Sequence, residues 1–69
     1  MDIVRRLKEV FGEENVKVHF VEVFGDTFVT VILPDGEEEQ FAINAYGDIP
    51  SEDIEDMHED VWEVVSSCL

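Results

Sequence analysis

After Lys17 the chain carries no lysine or arginine, yet residues 18–69 contain fourteen aspartates and glutamates. Any fold must therefore keep nearly all of these carboxylates in water, because a buried carboxylate needs a partner and this stretch supplies no lysine or arginine. The first seventeen residues set Arg5, Arg6, Lys8 and Lys17 against Asp2, Glu9, Glu13 and Glu14, so the net charge of −14 belongs to the remainder. One end is neutral and the rest is an anion.

With 69 residues there is room for a single domain, 1–69, whose small core leaves only a few kcal/mol of net stability. Self-repulsion is then a serious opposing term. The hydrophobic fraction of 45% and five phenylalanines are too apolar for a charged disordered chain and predict a folded globule. No run approaches the roughly eighteen apolar residues of a membrane span, and no basic-then-apolar leader opens the chain, so a soluble protein of the cytoplasm is expected. The single cysteine, Cys68, fits a reducing compartment and reads as a half-buried thiol at a helix end.

The pattern predicts an α+β fold of order α-β-β-β-α, a three-stranded antiparallel meander with two helices. Asp2 is placed to cap a helix whose apolar positions Ile3, Val4, Leu7, Val10 and Phe11 follow helical spacing, with Gly12 as the stop. Val16 to Phe24 and Thr27 to Leu33 read as strands joined by a Gly25-Asp26 turn. Pro34-Asp35-Gly36 is a second turn, with proline pre-setting its first residue and glycine taking positive φ, before a strand from Gln40 to Tyr46. Ser51 is then the expected N-cap of one helix from Glu52 to Ser67. Two helices cover one sheet face, and Phe20, Phe24, Phe28 and Tyr46 cannot all point inward with their valine neighbours. Either some aromatic surface is left outside or the core wraps more tightly than the pattern reveals.

On an uninterrupted helix, Ile54, Met57, Val61, Val64, Val65 and Cys68 form an apolar stripe flanked by His58 and Trp62. Glu52, Asp53, Glu55, Asp56, Glu59, Asp60 and Glu63 fill the opposite arc. Such a face carries like charges at i, i+3 and i, i+4, each pair destabilising by roughly 0.2–0.5 kcal/mol at low salt. It also presents about one charge per 2.4 Å of axis, close to the one per about 1.7 Å of duplex DNA. A groove built for phosphates would meet a similar line of anions. Glu37, Glu38 and Glu39 extend the row if their turn lies on the same side, and Trp62 is either a seal between helix and sheet or a rim anchor for a partner.

Other chemistries find less support. Residues 35–39 lack the alternating Asp/Asn pattern of a calcium loop, and His58-Glu59 has no second histidine four residues on, so no metal or other cofactor is expected. His19 and His58 read as framework residues. No nucleophile elbow or phosphate loop exists, so an enzyme is not expected. The sign of the charge argues against direct nucleic-acid binding.

The rows Glu37–Glu39 and Glu52–Glu63, on a small acidic α/β scaffold, resemble the DNA-mimicking inhibitors of phages and mobile elements, which include anti-CRISPR proteins, anti-restriction proteins and uracil-DNA glycosylase inhibitors. The resemblance implies an anti-CRISPR that blocks the basic DNA-binding surface of a Cas effector complex, type I Cascade foremost, in the host cytoplasm, as a monomer or weak dimer. A second expectation is an acidic immunity protein or antitoxin neutralising one basic toxin or nuclease, with Trp62 or Tyr46 as an apolar anchor. A third is an ordinary domain of a halophile, against which stand the basic residues kept in the first helix and eleven glutamates to seven aspartates.

Overall fold

The computed structural model describes residues 3–69, and the cap expected at Asp2 lies outside them. Helix α1 runs Ile3–Phe11 and buries Ile3 and Leu7. It stops at Gly12, whose φ of 99° is open to glycine at little cost, and the Asn15 side chain donates to the freed Phe11 carbonyl at 2.8 Å. A single 3-10 turn, Glu13–Asn15, leads into the sheet.

Strands β1 (Val16–Val21), β2 (Asp26–Ile32) and β3 (Glu38–Ile43) form an antiparallel sheet in the order β1-β2-β3. The expected meander is present, with shifted ends. β1 stops at Val21 instead of Phe24, because a four-residue loop, Glu22–Gly25, replaces the two-residue turn; the Gly25 N–H donates to the Val21 carbonyl at 2.9 Å with φ at 70°. β3 begins at Glu38 and ends at Ile43 rather than Tyr46, where the Asn44 side chain gathers the backbone N–H groups of Tyr46 and Asp48 into a turn. The Pro34-Asp35-Gly36 turn forms as the residues dictate, with Gly36 at φ 91°.

Cross-strand partners share a face, so the register Val16↔Val31, Val18↔Val29 and Val29↔Phe41 places these side chains toward the helices. Val29, Val31 and Phe41 are buried there with Ile3, Leu7, Val61 and Val65. Lys17, His19, Phe28, Thr30, Glu38 and Gln40 occupy the other face, away from the buried helix residues of the core. The aromatic question is thereby answered: Phe20, Phe24 and Tyr46 are exposed, and Phe28 lies half-buried on the open face.

The second expected helix is broken in two. Helix α2 spans only Ser51–Glu55 and helix α3 spans Glu59–Cys68. Pro50, not Ser51, holds the cap position of α2, and Ser51 is its first residue. Between the helices His58 takes an extended ψ of 139°, and its Nδ1 accepts from the Asp60 N–H at 3.1 Å. The same nitrogen lies 4.0 Å from Asp60 Oδ2, but an ion pair there requires a proton where the cap requires a lone pair, and the shorter cap contact describes the site.

The break has a physical reason. A single helix holds Glu59 and Asp60 too far from its N-terminus to gain from the dipole, and stacks Glu55 on Glu59 and Asp56 on Asp60. Restarting at Glu59 puts Glu59 and Asp60 in a fresh first turn, each gaining roughly 0.3–1 kcal/mol, and separates those like-charge pairs. Met57 in the bend stays buried in the core. His58→Ala is expected to lower stability by about 1 kcal/mol while His58→Ser keeps it, measured by urea denaturation.

Candidate acidic interface

The continuous carboxylate ridge expected on one helix does not form, because its residues divide between α2, the bend and α3. On α3 the outer face carries Glu59, Asp60 and Glu63, all exposed, followed by Ser66 and Ser67, whose hydroxyls turn back to the Glu63 and Val64 carbonyls. On α2, Glu52 and Glu55 are exposed, and Asp56 stands exposed at its C-terminal end. Trp62 is half-buried and packs against the core, as a boundary residue does.

Asp53 is the exception on α2. Its Oδ2 accepts from the Ala42 backbone N–H at 2.9 Å, which places the half-buried carboxylate on the outer edge of β3. An edge strand leaves such donors without a strand partner, and Asp53 satisfies one of them. It is therefore a tether holding α2 beside the sheet and not a free surface charge. Sequence periodicity gave no sign of this, because the partner lies eleven residues away on another element.

The three consecutive glutamates also separate. Glu37 is exposed in the β2–β3 turn, Glu38 points to the open sheet face opposite Ile32, and Glu39 is half-buried on the helix side opposite Val31. The turn itself lies beside α3, since Pro34 lines one groove with Asp60, Glu63, Val10, Phe11 and Arg6. Glu37 thus belongs to the end of the molecule where α3 shows its acids, while Glu38 and Glu39 face apart. Arg6 stands in this groove and pairs with Glu9 at 3.0 Å; Arg5 reaches the same carboxylate at 3.5 Å. Arg5 and Arg6 thus share the Glu9 carboxylate of their own helix.

Of the ten carboxylates predicted from sequence as partner-binding, eight are exposed: Glu37, Glu38, Glu52, Glu55, Asp56, Glu59, Asp60 and Glu63. The other four acids after Lys17 are Glu22, Asp26, Asp35 and Asp48, in or beside turns. Six of these exposed acids fall on consecutive segments, α2 beside β3, the bend, and α3 packed on α1. Among the described residues, no three His, Cys, Asp or Glu side chains converge as metal ligands would. Crowded, exposed carboxylates predict a specific response to salt: raising ionic strength from about 10 to about 150 mM should raise the thermal midpoint, by about 4–8 °C for each kcal/mol of repulsion screened. A midpoint indifferent to salt in a thermal scan contradicts the crowding.

No protein-family model, curated protein or solved structure matches this chain.

Proposed function

We propose that the protein is an inhibitor that mimics DNA, pressing the carboxylate flank of α2 and α3 into the basic nucleic-acid-binding surface of a partner protein. The observation that carries this reading is the set of exposed acids on the two consecutive helices, Glu52, Glu55, Asp56, Glu59, Asp60 and Glu63, in a chain with no lysine or arginine after Lys17. A solvated surface of ordinary purpose mixes both signs and gains stability from it. This one forgoes that gain across an entire flank.

The mechanism is occlusion. Anions along the two helices meet Lys and Arg side chains placed for phosphates, and their association releases counterions and is steered by long-range charge. A Cas effector complex, type I Cascade first, is the target that the resemblance to anti-CRISPR proteins names. Uneven charge supports mimicry over salt adaptation, since residues 15–21 hold no carboxylate and α1 retains Arg5, Arg6 and Lys8. One observation favours an immunity protein or antitoxin instead: Tyr46 is 90% exposed, as an apolar anchor for a single toxin would be. No helix of the described residues is long and apolar enough to cross a membrane.

The test is inhibition. Purified protein added to type I effector complexes before target DNA should abolish DNA binding in a mobility-shift assay, whereas adding it to a basic nuclease toxin should leave cleavage unchanged. Protection from the toxin alone would select the immunity reading.

A further inference from the structure

The two edges of the sheet are treated differently. The β3 edge is covered by α2, tied down by Asp53 on the Ala42 N–H, and carries Glu38 and Glu39. Among the described residues β1 pairs only with β2, so its other edge has no strand partner. Its sequence, VKVHFV, contains no proline and no acid, and the seven residues 15–21 are free of carboxylates.

The backbone orientation of that edge follows from two hydrogen bonds. The Val21 carbonyl accepts from Gly25 inside the hairpin, so Val21, and with it His19 and Lys17, turn their backbone groups toward β2. The Ala42 N–H points away from β2 to reach Asp53, and carrying the alternation back through β2 gives the same assignment. Val18 and Phe20 therefore present their N–H and C=O groups outward on the bare edge, joined by the Val16 C=O, while the Val16 N–H donates to the Glu13 carbonyl of the 3-10 turn. The side chains of these residues lie on the helix side, where Val18 and Phe20 remain 45% and 58% exposed; Val23 and Phe24 of the adjoining loop are exposed as well.

We propose that β1 pairs antiparallel with β1 of a second copy, about a two-fold axis at Val18, to give a continuous six-stranded sheet. This register sets Val18 against Val18 and Val16 against Phe20, joining about four outward backbone hydrogen bonds and bringing apolar side chains together on one face. On the other face Lys17 meets His19; the paired strands themselves hold no carboxylate, and Glu14 and Glu22 lie just beyond their ends. Self-complementarity is what an isologous interface requires. For a molecule with a net charge of −14 it is also the edge at which a second, equally acidic copy approaches with least local repulsion. The α2 acids beside β3 lie at the opposite edge and stay free in the dimer.

The expected association strengthens with salt, because screening relieves repulsion between the two acidic bodies, whereas capture of a basic partner by the acid flank weakens with salt. Sedimentation at about 20 and about 500 mM salt should show the population shifting from 7.9 kDa toward twice that mass, with a dissociation constant lowered at least about tenfold. Amide exchange should slow with protein concentration at Val18 and Phe20 and remain unchanged at His19. Val18→Pro removes an outward donor that the monomer does not use, as edge strands tolerate, and Val18→Lys sets two cations face to face. Both should give monomers at every salt concentration with the circular dichroism of the wild type. If Val18→Pro unfolds, Val18→Lys decides alone. A monomer at high salt and about millimolar protein, a dimer that persists in Val18→Lys, or a dimer that weakens with salt overturns the proposal.

Discussion

Replacing Glu55, Asp56, Glu59 and Asp60 together with lysine should abolish inhibition, weakening the complex with a basic target by more than about 1,000-fold, or about 4 kcal/mol. Each reversal removes an attraction and puts a like charge against a cation that the target holds for phosphate. The effect on stability is expected to be much smaller. At Asp56, on the C-terminal end of α2, a lysine improves on the native carboxylate, while at Glu59 and Asp60, in the first turn of α3, it opposes the dipole. These contributions nearly cancel, so a thermal midpoint within a few degrees of wild type should accompany the loss of binding. Were α2 and α3 one helix, the same four changes would stabilise strongly. The measured midpoint therefore reports on the bend as well.

Phe41→Ala should unfold the domain at 37 °C. Phe41 is 2% exposed on β3 and faces Val29 across the sheet, inside the cluster closed by Leu7, Val61 and Val65. Truncating a buried phenylalanine costs about 3–5 kcal/mol through lost burial and the cavity left behind. A domain of this size has roughly 3–10 kcal/mol in total, and carboxylate repulsion reduces what is left. Tyr46→Ala, at a side chain open to water, should by contrast change stability by less than about 0.5 kcal/mol. Urea denaturation followed by near-ultraviolet circular dichroism separates the two, and a cooperative Phe41→Ala variant as stable as Tyr46→Ala would contradict the core described above.

Much of the architecture was legible in the chain. The i, i+3, i+4 spacing of Ile3, Val4, Leu7, Val10 and Phe11 marks α1, the β-branched runs mark the strands, and Pro34-Asp35-Gly36 marks a turn whose glycine has the required positive φ. The break at Asp56–His58 was hidden because Ile54, Met57, Val61 and Val65 keep helical spacing straight through it. Periodicity records which side chains go inward, and all four do so on both paths. The cue was local: a histidine two residues before Asp60, able to accept from that residue's N–H, with acids crowded just after it. Asp53 was unreadable for a different reason. It looks like its acidic neighbours until the edge of β3 is placed beside it. The exposed aromatics followed from counting side chains against one covered face, although which ones stay outside depended on where α1 crosses β1.

The most direct measurement of the central claim is competition at a single target. Fluorescent duplex DNA is bound to a purified type I effector complex, the protein is titrated in, and the mass of every species is followed by sedimentation. If the acid flank stands in for phosphates, DNA is displaced, no species holds both ligands, and the protein's apparent affinity falls as salt rises. A stable ternary complex of effector, DNA and protein would contradict the account.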